Sequence, residues 1–494
     1  MKPTSLLRQP LIFDRSAMQR TALYSLCLLF AAHAFCFFNL TYSGSSVMLN
    51  VASGRASQIA CGHYLQPIYF RLRGSLSAPL LVGMLSALYL TAMNLVLVWL
   101  LRLRSAVSVF ALCGATTVNA AVLSVCAASL HTADAAFLAM LLATLSCAIC
   151  MRVRLGAIPG ALMLACALAL DTGAGAFFAA LMLIVMLSDL LLDGSVKSFL
   201  RSAALLVFAL LTATILHQLG HQFLLRRNAF TAAAAFSLFD GDLVGAYLAP
   251  LRAMFAPLTS YARLSAAIRV LLMVLAIACV IRSIRARSKA ASLALILGVL
   301  LFPLASGFTY LAGQQDIQIT AAHCLLDVLC IIVLVRLFPE TKLRARLLLS
   351  AFAVLFTGVI VFSNQVYLKK NLEFESTISL MSRIVTRMEQ VEGFRPGATS
   401  VAFIGTPESS VFAAGRKGFD HLDALDAAKG HYAITSDTDM IWYMWDVMGY
   451  PINFVSTHEL AQLKKSDAVS ALPIFPQDGC CAFIGDTLVV RLSE

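Results

Sequence analysis

The sequence predicts an α-helical polytopic membrane protein of about eleven transmembrane helices, followed by a small C-terminal α/β domain. Three observations carry this. The 494 residues are 60% hydrophobic and only 13% charged, too apolar for an ordinary water-soluble chain. About eleven apolar runs approach the roughly 20 residues that cross about 30 Å of hydrocarbon. Beyond residue 364 the pattern changes to short apolar stretches separated by glycine, proline and charge, which reads as strands and short helices.

In chain order, the segment 1–20 carries Lys2, Arg8, Arg15 and Arg20 ahead of an apolar stretch and reads as an uncleaved cytoplasmic anchor. The expected spans are 21–40, 79–101, 105–127, 134–151, 155–170, 174–192, 199–219, 264–281, 290–311, 318–336 and 346–364. With the N-terminus inside, every inside connection is basic: Arg102 and Arg104; Arg152 and Arg154; Lys197 and Arg201; Arg282, Arg285, Arg287 and Lys289; Arg336, Lys342, Arg344 and Arg346. This is the positive-inside signature. It accounts for most of the formal charge of +11 and leaves no reason to expect nucleic acid as a partner. The thirteen cysteines lie mostly within apolar runs, as small hydrophobes do. Cys480 and Cys481 are neighbours and lack the geometry to bond each other readily.

The transmembrane part, 21–364, sends two long loops outward, 41–78 and 220–263, and the odd number of spans places the domain 365–494 outside as well. In loop 220–263 the stretch "FTAAAAFSLFDGDLVGAYLAPL" is too apolar to be solvated, yet is interrupted by Asp240, Gly241, Asp242 and Pro250, predicting interfacial or re-entrant helices. In the tail, 374–392 reads as an amphipathic helix, "TSVAFIG" and "YPINFV" as strands, and "CCAFIGDTLVVRL" as a hairpin turning at Gly485-Asp486.

Ionisable residues in or at the mouth of a span face protein or water, because lipid solvates them poorly. Asp134 in "LHTADAAF" and Asp171 in "LALDTGAG" both fall at outer helix ends, where each serves as a helix-end carboxylate or as a cavity-lining acid. His323 and Asp327 share one face of the tenth span, for a proton relay or a structural hydrogen bond. His217 and His221 repeat that spacing at the outer end of the seventh. No third ligand accompanies them, so no metal site is read and no cofactor is expected. Arg55, Arg71, Arg73, Arg226 and Arg227 bring guanidinium groups to the outer face, suited to phosphate because their planar fork donates two parallel hydrogen bonds; headgroup anchoring is the plainer use. Trp442 and Trp445 in "IWYMWD" offer flat faces for a sugar ring or for the domain's own core.

The order of these features resembles the GtrII-type glucosyltransferases, a GT-C-like family of polytopic enzymes. The resemblance rests on a first outer loop ending in Gly54-Arg55, on "TADAAFLAMLLATLSC", and on the tail segments "LKKNLEFESTISLMSRIVTRMEQ", "VAFIG" and "LPIFPQDGCCAFIGDTLVVRLS". It implies a GT-C-like fold in a bacterial inner membrane with a periplasmic tail. It implies an activity too: transfer of a sugar, glucose in the family, from a polyprenyl-phosphate carrier to lipopolysaccharide (as in O-antigen modification) or another surface glycan. The first outer loop departs from the pattern. Where the family has an acidic pair, this chain has Ser43-Gly44-Ser45-Ser46, and a serine hydroxyl does not act as a general base near neutral pH. Asp171-Thr172-Gly173 stands where the family tends to Tyr-Gln.

The expected catalytic base is therefore another outer carboxylate, Asp134 first, with Asp171 and Asp240 behind it. Arg55, Arg71, Arg73 and Arg226 are expected to hold the carrier phosphate, and Trp442 and Trp445 the acceptor. Two other readings stand beside this: a divergent relative that binds lipid-linked glycan without reacting, and a secondary transporter or flippase working through His323, Asp327 and the segment near Pro303.

Overall fold

The computed structural model describes residues 14–228, 243–255, 263–308, 321–338, 341–406 and 418–493. The helices that follow from the apolar runs are α1 Arg15–Phe38, α4 Pro79–Leu100, α5 Ala106–Thr117 with α6 Ala120–Ala128, α7 Ala133–Arg152, α8 Ala157–Leu170, α9 Ala174–Asp193, α10 Val196–Asn228, α12 Arg263–Ala286, α13 Lys289–Ser306, α14 Ala321–Leu337 and α15 Lys342–Glu389. Between them lie α2 Arg55–Ala60, α3 Gln66–Arg73 and α11 Leu243–Phe255. Within the described residues each expected span falls on helix, and residues 309–311 and 318–320 of two of them lie outside those described. Among the described residues nine helical segments are long and apolar enough to cross a membrane, while α8 and the described part of α14 are shorter. The chain suits a multi-pass membrane protein.

Two segments differ from expectation. The third run is two helices, because Asn119 turns extended and its side chain accepts from the backbone N–H of Ala121 and Val122, starting a new helix in the middle of the span. The last run does not stop at residue 364. Its 48 residues contain no proline and form one helix through Glu389, about 72 Å long at 1.5 Å per residue. The amphipathic helix expected at 374–392 is the far half of that rod, which buries Phe374, Leu380, Met381, Ile384 and Met388 on one stripe, at the spacing of a single helix face.

The core is centred on α9, buried on nearly every side, which is why it reads as apolar all round. Close packing near α5 depends on Gly114, where a Cβ would collide with the Phe356 ring of α15. The tail folds as a four-stranded sheet, β1 Ser400–Ile404, β2 Asn453–Phe454, β3 Cys481–Ile484 and β4 Thr487–Arg491, in the order β2-β1-β4-β3. The strand β1 runs parallel to β2 and β4, and β3–β4 is the expected hairpin, with Gly485 at φ +61.

The sheet domain is held to the helices at two places. On α15, Lys369 Nζ reaches Asp423 at 2.6 Å and the Ala428 carbonyl at 2.5 Å, and Lys370 Nζ donates to the Lys429 carbonyl at 3.3 Å. On the first loop, Gly44 N–H donates to the Ala433 carbonyl and Asn50 N–H to Asp446 Oδ2. Loop 41–78, the tail, and the C-terminal end of α8 therefore share one end of the bundle, called here the sheet end.

Candidate functional site at the sheet end

The serine stretch explains its own composition. Residues Gly44–Val47 form a 3-10 turn laid over the C-terminus of α6, where helix geometry leaves carbonyl oxygens without intrahelical partners. Ser46 Oγ–H donates to the Ala128 carbonyl at 2.8 Å, and Ser43 Oγ–H to Ala127 at 3.5 Å. His131 Nδ1 in turn lies 3.2 Å from Ser46 Oγ. This position needs donors. A carboxylate has none and would face two carbonyl oxygens and the negative end of a helix dipole.

A few residues away, Asp134 is fully buried in the first turn of α7. Arg73, at the end of α3, places Nη1 2.6 Å from Asp134 Oδ1, with side-chain exposures of 1% and 0% for the pair. Tyr69 Oη–H donates to Asp134 Oδ2 at 2.7 Å and lies 3.3 Å from Tyr89 Oη. Burial and the neighbouring carboxylate push the Tyr69 phenol far above its ordinary range. Arg73 also reaches the His131 carbonyl, and its guanidinium lies over the Phe70 ring, 4.7 Å from the centroid. Asp134 and Arg73 are thus brought together, but in a closed pair: the acid expected to be the base and the arginine expected to bind phosphate neutralise each other.

Asp171 is placed differently. It is half-buried just past α8, where its Oδ1 accepts from Gly173 N–H at 2.7 Å. The loop helices pack over it: Leu65 N–H donates to the Ala169 carbonyl, and Gln66 Nε2 to the Leu170 carbonyl. His63, from the turn between α2 and α3, lies within electrostatic reach of Asp171; its pKa is lowered by burial, an effect that Asp171 opposes and His221 reinforces. On α10, His217 Nε2–H donates to the Gly62 carbonyl at 3.0 Å and His221 Nε2–H to Ile59 at 2.8 Å, with Tyr64 stacked on His217. Gly220 permits this docking, since a Cβ there would meet Tyr64 Oη at 2.8 Å. The two α10 histidines read as metal-ligand spacing thus hold loop carbonyls, and no group of three metal-ligating side chains occurs among the described residues.

Arg55 on α2, Arg71 on α3 and Arg226 near the end of α10 are exposed. Asp240 lies outside the described residues. Trp442 and Trp445 pack edge to face at 5.8 Å; Trp445 is 43% exposed and donates Nε1–H to the Ile452 carbonyl. The adjacent Asp446, on the same turn, is the residue that receives Asn50 from the first loop, so the aromatic pair sits beside the loop–tail junction.

Sequence reasoning passed over His63, Tyr69 and His131. His131 and Asp134 are three apart in "LHTAD", but Tyr69 and His63 reach their acids across more than 60 residues, with no local pattern to reveal them. Deep in the bundle, Asp327 does have a charged partner: Arg269 of α12 places Nε 2.8 Å from its Oδ1, and Nη2 donates to the Met254 carbonyl of α11. The pair borders a largely apolar pocket between α5, α12, α14 and α15. Comparison with family models, with curated proteins and with solved structures finds no match to this chain.

Proposed function

We propose that the chain is a membrane glycosyltransferase acting at the sheet end, taken as the periplasmic end of a bacterial inner-membrane protein, a placement that the distribution of loop charges supports. Its donor is a polyprenyl-phosphate-linked sugar, glucose by the resemblance to the GtrII type, and its acceptor a surface glycan hydroxyl. The acceptor oxygen forms a bond to the anomeric carbon as the bond from that carbon to the carrier phosphate breaks. The hydroxyl proton goes to a carboxylate, and polyprenyl phosphate leaves. Asp171 takes the proton. The observation that carries this assignment is the contrast in access: Asp134 is closed in an ion pair with Arg73, whereas Asp171 is only partly buried, beside His63 and under the loop that presents Arg55 and Arg71. Those two arginines meet the carrier phosphate, and the exposed face of Trp445 meets the acceptor.

The test is transfer of radiolabel from polyprenyl-phosphate-glucose to envelope glycan by the purified chain in lipid. Asp171→Asn keeps the side-chain acceptor for Gly173 N–H and is expected to lower the rate roughly 10²–10⁴-fold, the usual contribution of a general base, with folding intact. Full activity in that variant removes Asp171 from the role. A wild-type chain that binds donor without transferring it is the non-reacting relative instead.

A second reading has its own observation. The helix broken at Asn119, the Arg269–Asp327 pair and the cavity beside it lie together within the spans, and discontinuous helices with charged groups at mid-membrane are features of secondary transporters. Gradient-driven uptake into vesicles that Asp327→Asn abolishes would establish that reading, and vesicles without uptake would remove it.

A further inference from the structure

At the end of the bundle opposite the sheet, four arginines gather around two helix C-termini. Arg152 makes a two-pronged contact with Asp189, at 3.0 and 3.2 Å, and donates to the Leu100 carbonyl at the end of α4. Arg336 donates to the Leu101 carbonyl and lies 3.4 Å from Ser188 Oγ. Arg287 donates to the Leu190 and Leu191 carbonyls at the end of α9. Arg102 is the fourth. Its backbone is left-handed, at φ +52, uncommon for a residue with a side chain, and it lies within electrostatic reach of Asp193 and Arg336. Unlike the other three, its guanidinium has no hydrogen bond or ion pair among the described residues.

The side-chain charges do not cancel: four guanidinium groups stand against two carboxylates, Asp189 and Asp193. The depth of the cluster is also fixed: α4 has 22 residues and α7 has 20, about 33 and 30 Å at 1.5 Å per residue. Arg102 and Arg152 at their ends therefore reach the level of lipid headgroups when these helices span a bilayer.

We propose that this cluster is a binding site for the phosphodiester of an anionic bilayer phospholipid, one per chain, with Arg102 as the guanidinium that the lipid engages. A phosphodiester brings a negative charge to a site whose cationic side chains outnumber its carboxylates, and its oxygens accept the parallel N–H bonds that arginine offers. A zwitterionic headgroup would bring its ammonium into the same positive field. The site is independent of the chemistry assigned to the sheet end.

The experiment is native mass spectrometry of the full chain released from detergent doped with equal amounts of phosphatidylglycerol and phosphatidylcholine. One phosphatidylglycerol should be retained in preference to phosphatidylcholine. Arg102→Gln should reduce its occupancy roughly tenfold, as expected on losing a charge-assisted contact, while Arg104→Gln, which removes an exposed neighbour, should leave it unchanged. Arg102→Gly keeps the left-handed backbone without side-chain strain, so it should fold at least as well as wild type and still lose the lipid. Equal retention by Arg102→Gln and wild type, or equal retention of the two lipids, overturns the proposal.

Discussion

The two ends of the helical bundle solve the same problem with different chemistry. Helices that stop at a membrane surface leave carbonyl oxygens without partners. At the arginine end these are met by long cations, with Arg152, Arg287 and Arg336 reaching Leu100, Leu101, Leu190 and Leu191. At the sheet end they are met by hydroxyls, an amide and backbone from the loop and the tail, through Ser43, Ser46, Gln66 and Leu65. Arg73, the arginine with the most buried ion pair there, answers a carboxylate. One end is a rim of charged side chains. The other is a lid laid over polar groups that have left water.

That difference is sharpest in the response to losing one charge. Arg73→Ala would leave Asp134 buried without its counter-ion, a loss of about 3–5 kcal/mol by the behaviour of buried pairs. Arg152→Ala removes a partner from Asp189 in a pair whose side chains are 9% and 13% exposed, where water can take over part of the solvation, so about 1.5–3 kcal/mol is expected. Unfolding of the two variants in micelles, compared with wild type, measures both. Equal losses would mean that the rim is as dry as the lid and would remove the contrast.

The serine turn supplies the next test, and its sign is opposite to what family resemblance alone would suggest. Ser46→Asp restores an acid to the place where the GtrII type has one, but in this chain it sets a carboxylate against the Ala128 carbonyl. It should destabilise by about 1–3 kcal/mol, as for a buried group left without its hydrogen bond, and should not raise transfer. Ser46→Ala, which only deletes the donor, should cost about 1 kcal/mol. A stabilised or more active Ser46→Asp would show that the turn still accommodates the acid.

How far the sequence disclosed all this depends on distance along the chain. The four strands and the hairpin at Gly485 are local patterns of hydropathy and turn residues and fall where those patterns put them, and the apolar runs fall on helix within the described residues. The continuity of α15 past residue 364 was also available, since no proline interrupts it, but the change from an all-apolar to a one-sided pattern suggested a boundary where the helix merely leaves its apolar surroundings. The site was legible only as a set of candidates. Asp134, Asp171 and Arg73 stand out by being charged near span ends, yet whether an acid is open or paired depends on which loop folds over it. Asp327 shows the same limit: its neighbour one turn earlier, His323, is visible in the sequence, and its ion-pair partner Arg269 is 58 positions away.

The smallest expected effect tests whether the lid depends on His63 being neutral. His63 lies within the loop, between α2 and α3, with its pKa lowered by burial from the ordinary 6.5. The unfolded chain therefore binds the proton more readily than the folded one, so the contribution of neutral His63 is complete above about pH 6.5 and declines as pH falls toward the lower folded value. Asp171 tempers the decline by favouring the cation, and His221 deepens it by opposing one. Amide exchange across residues 55–73 should thus accelerate as pH is lowered through 6.5, after correction for the intrinsic pH dependence of exchange, while the corrected exchange around Leu190 and Leu191, held by an arginine that stays charged throughout, stays level. His63→Gln should flatten the response at the sheet end. If acceleration occurs at both ends, or persists in that variant, the titrating group lies elsewhere and the two ends share a weakness that the difference between hydroxyl and guanidinium does not explain.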